Sequence, residues 1–114
     1  MKASPDDFLP LAPAVLHILL ALAGESLHGY GIMQEVKRQS EGRYKLGPGT
    51  LYDNLQRLMR QGLVEEVPEF SDDSDSRRRP YRLTGIGRGV LSAEIARLEG
   101  VVKQARLHLR PRRA

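Results

Sequence analysis

Apolar positions recur at helical spacing in four stretches of this chain, and between the third and fourth the pattern shortens to that of strands. Val15, Leu16, Leu19, Leu20 and Ala23 predict a first helix over about 12–23. It is apolar nearly all round and therefore buried on more than one side, with Gly24 placed to cap its end. A second helix, over about 29–39, sets Ile32, Met33 and Val36 on one face and Gln34, Glu35, Lys37 and Arg38 on the other. Gly29 and Gly31 near its start weaken helix propensity, which makes sense if this end packs closely against another backbone. Gly42 is the turn point of the connection 40–46.

The third helical stretch is the most informative. Residues 47–62 read G-P-G-T-L-Y-D-N-L-Q-R-L-M-R-Q-G. Pro48 suits a first turn, where the missing amide has no intrahelical acceptor to lose, and Gly62 suits the stop. Leu51, Leu55, Leu58 and Met59 make one buried stripe, leaving Thr50, Asp53, Asn54, Arg57, Arg60 and Gln61 outside. Tyr52 falls on the border: its ring can lean on the domain while its hydroxyl reaches out.

Residues 63–70, L-V-E-E-V-P-E-F, predict an edge-like strand broken by Pro68, and 77–83, R-R-R-P-Y-R-L, the returning strand. The acidic run S-D-D-S-D-S between them is the tip of a wing. Thr84 is an N-cap for a last helix running to about residue 109. On it Leu91, Ile95, Leu98, Val102, Ala105 and Leu109 alternate at spacings of four and three, a heptad seam that a small domain cannot cover alone. A second subunit is the expected cover. At the other end, Ser4, Pro5 and Asp7 resemble an N-cap, an N1 proline and an N3 acid, and the arm around Phe8 and Leu9 is free to cross onto that subunit.

Composition narrows this picture. At 114 residues the chain has room for one modest core and no large enclosed active site. It divides into 1–84, a winged helix-turn-helix with an N-terminal arm, and 85–114, a dimerisation helix with a basic tail. The formal net charge of +4 is uneven. Residues 1–60 are nearly balanced, whereas 97–114 set Arg97, Lys103, Arg106, Arg110, Arg112 and Arg113 against Glu99. The last three arginines read as a solubilising tail. The chain has no cysteine, which fits a reducing cytoplasm. Its longest apolar run, 15–23, is far short of a membrane span, and no signal-peptide pattern precedes it. His17 and His28 have no second ligand at metal spacing, and no nucleophile elbow, phosphate loop or carboxylate pair placed for hydrolysis occurs. Neither a metal, a cofactor nor an enzyme activity is expected.

The order of two apolar helices, a polar capped helix and a hairpin is how a winged helix-turn-helix offers a recognition helix to the DNA major groove. Asn54 can pair with adenine, as can Gln61 or Gln56, while Arg57 and Arg60 can reach guanine or phosphate. Thr50 and the open amides near Gly49 stand where a helix start grips phosphate. Arg77, Arg78 and Arg79 suit phosphate or minor-groove contact beside the wing; equally, they can pair with Asp72, Asp73 and Asp75. Asp53 is awkward on a DNA-facing surface unless it accepts from cytosine or pairs with an arginine.

With these residues assembled, the chain resembles the PadR family of transcriptional regulators. The likeness rests on I-L-L-A-L-A-G-E-S-L-H-G-Y-G-I-M at 18–33, P-G-T-L-Y at 48–52, Leu55, Leu58, residues 62–64, and 79–84 with Gly87. It spans about residues 9–100. The resemblance implies a winged helix-turn-helix, a homodimer built by the C-terminal helix, and repression of a nearby promoter. It places Tyr52 and its neighbours close to DNA, and His28 and Tyr30 in the packing of the second helix start, with Gly29, Pro48 and Gly49 in structural roles. The single C-terminal helix matches the short subfamily. Some drug-sensing relatives clamp aromatic ligands between tryptophans, and this chain has none. A small-molecule effector is left without an identity. The competing reading is a dimeric winged-helix module that binds protein and not DNA, which the near-neutral first half and Asp53 favour.

Overall fold

A computed structural model describes residues 4–68 and 79–111. The acidic wing tip, Arg77 and Arg78 lie outside the described residues. After a 3-10 turn at Pro5–Phe8, the elements run α1 (Pro13–Leu22), α2 (Gly29–Gln39), α3 (Pro48–Arg60), β1 (Val64–Glu66), β2 (Tyr81–Leu83) and α4 (Gly85–His108). This mainly helical chain with one small antiparallel hairpin is a winged helix-turn-helix carrying a long C-terminal helix.

α1 is the hub. Ile18 and Leu19 are wholly buried, and Ala21 and Leu22 nearly so. Around it close Ile32 and Val36 of α2, Leu51, Leu55 and Leu58 of α3, Val64 and Leu83 of the hairpin, and Val90 and Leu91 of α4. Its end is not closed by Gly24, since positive φ occurs among the described residues only at Glu41, Gly42 and Gly62. Two distant side chains meet its last carbonyls instead. Gln39 Nε2 donates to Leu20 O at 3.4 Å and Arg88 donates to Ala23 O at 3.2 Å.

α2 and α3 end alike. Past α3, Gly62 takes φ +77°, and the amides of Gly62 and Leu63 bond back to the carbonyls of Met59 and Leu58. Past α2, Glu41 takes the left-handed position at φ 55° and Gly42 follows at φ 76°. Tyr44 in this connection stacks on His17 of α1, ring centroids 4.3 Å apart, while its amide donates to Ser40 Oγ at 3.0 Å.

The hairpin pairs Val64 with Leu83, Glu65 with Arg82 and Glu66 with Tyr81. Of the spans 63–70 and 77–83 expected from sequence, positions 69–70 and 77–78 lie outside the described residues; among those described, the ladder stops short of Pro68 and of Pro80, which has no amide to donate. Tyr81 also exchanges both backbone bonds with Leu27, at 3.0 and 2.8 Å, so the α1–α2 connection adds a one-residue lane to the sheet. Nothing in the local pattern at Leu27 announces this.

From Ser4 onward the N-terminal arm lies along its own chain. Ser4 and Asp7 form the expected capping box, and Phe8, Leu9 and Leu11 pack on the chain's own core beside α4. The Leu11 amide donates to Oε2 of Glu94 at 2.8 Å, and the Glu94 carboxylate, 1% exposed, is also bonded by Arg97. From Glu99 onward every described residue of α4 and its end is exposed. This part of α4 projects from the core.

Candidate nucleic-acid interface

α3 forms because its apolar residues fall on one side of a proline-started, glycine-stopped segment, with Arg57 and Arg60 in the last turn opposing the helix dipole. Burying Leu51, Leu55 and Leu58 turns Thr50, Asp53, Gln56, Arg57, Arg60 and Gln61 to solvent. No carboxylate among the described residues pairs with Arg57 or Arg60. The face is thus one connected surface with two available guanidinium groups. Asn54 is less available: it is half-buried, and its Nδ2 donates to the Thr50 carbonyl at 2.8 Å.

Tyr52 is half-buried and turns inward. A Cβ at Gly29 would overlap its hydroxyl, so the close approach at the start of α2 is to a side chain of α3, not to a backbone as sequence suggested. Tyr52 also neighbours Tyr81, whose phenol is held above its ordinary range by burial first and then by Glu66 and Tyr52. Tyr52 therefore positions α3 against α2 and the hairpin.

Tyr30 departs from the packing role implied for it: it is 67% exposed. It lines an open groove along α2 with Lys37 and Lys45. His28 occupies the N-cap position of α2 and is exposed, its carbonyl accepting from Ile32. Pro48 opens α3, and Gly49 in its first turn is exposed with nothing near its absent Cβ.

On the wing, Arg79 is exposed and lies 3.6 Å from Glu66, while Arg82 bonds Glu65 across the hairpin at 2.7 Å. The pairing of arginines with Asp72, Asp73 and Asp75 falls outside the described residues. Of the expected dimer seam, Leu91 is 6% exposed and committed to the chain's own core, and Ile95 packs against that core. Leu98 is half-buried, Val102 is 47% exposed, Ala105 is exposed and Leu109 is 80% exposed. The stripe open to a partner thus begins near Ile95. Among the described residues no cluster of metal-ligating side chains occurs, and no helix is long and apolar enough to cross a membrane.

A recognition-type helix with an uncovered polar face, backed by two helices and flanked by a hairpin, defines a winged helix-turn-helix of the DNA-binding kind. The chain belongs to the transcriptional regulator PadR-like family, which it matches over residues 15–93. It is 36% identical to the transcriptional regulator Rv3488 of Mycobacterium tuberculosis over 89 residues, 78% of each chain. It is 40% identical over 92 residues to an uncharacterised 37.1 kDa protein in transposon TN4556 of Streptomyces fradiae, covering 78% of this chain but only 25% of that longer protein. A PadR family transcription regulator from Clostridium difficile R20291 shares the fold, with a TM-score of 0.70 at 22% identity, covering 87% of this chain and 100% of that one. The family is one of transcriptional regulators and not of enzymes.

Proposed function

We propose that this PadR-family protein is a sequence-specific, double-stranded-DNA-binding repressor that acts in the cytoplasm as a homodimer and is released by a small-molecule effector. The observation that carries the DNA reading is the exposed face of α3, with Thr50, Arg57, Arg60 and Gln61 uncovered and its opposite side locked by three buried leucines. Arg57 and Arg60 supply charge for guanine or phosphate, and Thr50 lies at the helix start where a phosphate is favoured. The wing arginines Arg77, Arg78 and Arg79 add backbone contacts beside it. Dimerisation through α4 is supported by a shallow, largely apolar trough lined by Ile95, Leu98 and Val102 and edged by Glu99, Lys103 and Arg106. Two copies joined there would present two α3 helices to two half-sites.

Arg57→Glu tests the assignment. Binding to a duplex from upstream of the protein's own gene, read by fluorescence anisotropy, should weaken roughly 5- to 150-fold, since a bidentate guanine contact contributes about 1–3 kcal/mol. Sedimentation should show the same oligomer as wild type. Unchanged binding by the variant would remove α3 from the interface. The module reading draws on Asp53 sharing this face and on Asn54 being engaged with Thr50. It prevails if the wild type shows no salt-sensitive binding to any duplex.

A further inference from the structure

We infer that Glu94 is a positioning residue that sets the separation of the two DNA half-sites, by fixing the direction in which α4 leaves the domain. The inference rests on the homodimeric DNA-binding reading above and names the side chain that couples its two parts.

A carboxylate is unusual at this place. Glu94 is 1% exposed and shares the inward side of α4 with Gly87, Val90 and Leu91. An apolar side chain would fill the position without desolvating a charge, and exchanging a buried ion pair for apolar groups is often neutral or stabilising. What the carboxylate adds is direction, because a hydrogen bond requires a particular geometry. Its Oε2 accepts from the Leu11 amide at 2.8 Å, and Arg97, one turn further along α4, donates to both oxygens. Only Ala12 separates Leu11 from Pro13, where α1 begins, and α1 is the element against which α3 packs. The bond therefore ties the dimerisation helix to the body that carries the recognition helix.

Its place along α4 gives it leverage. Thr84 and Arg88 tie the start of the helix to Gly62 and Ala23. The arm then runs beside α4, from Pro5 near Gly89 to Leu11 at Glu94. Among the described residues no hydrogen bond or ion pair joins α4 to another element beyond Glu94. The helix continues for about 21 Å from there to His108, so a swing of about 10° moves its end by about 4 Å, roughly one base-pair step.

The test selects DNA from a pool of duplexes randomised over about three helical turns. Wild type should enrich paired half-sites at one centre-to-centre distance. Glu94→Leu removes the bond to Leu11 while keeping an apolar fill, and should enrich the same half-sites at several distances. In anisotropy competition, its preference for the wild-type distance over one base pair longer should fall roughly fivefold, the weight of one hydrogen bond. Glu94→Gln keeps an oxygen for the Leu11 amide and should retain the single distance, although it should be less stable than wild type at neutral pH. Both variants should sediment as wild type does. A role in stability alone would instead make selectivity follow stability across the two variants, and that result would overturn the inference. So would a single unchanged distance in Glu94→Leu, which would leave the homodimeric reading standing. Enrichment of no paired half-sites by the wild type would overturn both.

Discussion

The residue that best separates local from long-range control is Tyr52. It stands among the DNA-facing residues of α3 by position, yet its hydroxyl fills the space a Cβ at Gly29 would occupy. Gly29→Ala should therefore cost about 1–3 kcal/mol in chemical denaturation, the usual effect of overpacking. Tyr52→Leu in the same chain should recover part of that loss, a coupling absent if the two sites are independent. Glu94 is the second such residue. Arg97 first, with the Leu11 amide, holds its carboxyl below the ordinary range against the opposing effect of burial. A lowered folded pKa contributes stability above the unfolded value of about 4.3, and that contribution disappears as pH falls through the folded value. Glu94→Gln should be less stable than wild type at neutral pH, with the difference in melting temperature closing below about pH 4.

At the scale of elements, Thr84 joins three of them. Its hydroxyl accepts from the Gly87 amide at 3.0 Å, capping α4, and donates to the Gly62 carbonyl at 2.6 Å, where α3 has just ended. Its amide donates to the Leu63 carbonyl, the group a Cβ at Gly87 would strike. The cap was legible as a threonine before a helical run, whereas the bond to Gly62, twenty-two residues away, was not. Thr84→Ala should lower unfolding free energy by about 1–2 kcal/mol and Thr84→Ser should restore most of it, measured by urea denaturation. The wing shows the opposite balance. Short, partly β-branched runs foretold strands at 63–70 and 77–83; among the described residues the ladder pairs three residues a side, and Leu27 supplied a lane that no pattern marked.

For the whole molecule, the asymmetry of α4 matters most. Its first half belongs to the core through Gly87, Val90, Leu91 and Glu94, and its second half projects uncovered. A 24-residue helix of about 36 Å exceeds what the rest of the chain can cover. If the stripe from Ile95 to Leu109 joins two copies, Leu98→Glu should shift sedimentation to monomer and weaken operator binding, because one α3 then reads half a site. Leu91→Glu should unfold the domain instead, since that residue lies inside it. A Leu98→Glu protein that still dimerises would place the interface elsewhere.

By itself the sequence determined the helices, the Thr84 cap of α4, the Pro48 start and Gly62 stop of α3, the polar face of α3 and the family to which the chain belongs. Each follows from spacing or chemistry within a few residues, where backbone geometry leaves little choice. Tertiary structure alone decided that Tyr52 turns inward while Tyr30 turns out, that Arg88 closes the end of α1, and that Leu11 is tied to Glu94. It also decided where the core stops claiming α4 and the open stripe begins. These outcomes join groups as many as eighty-three residues apart, and a local period says which side of a helix is apolar but not which distant group will meet it.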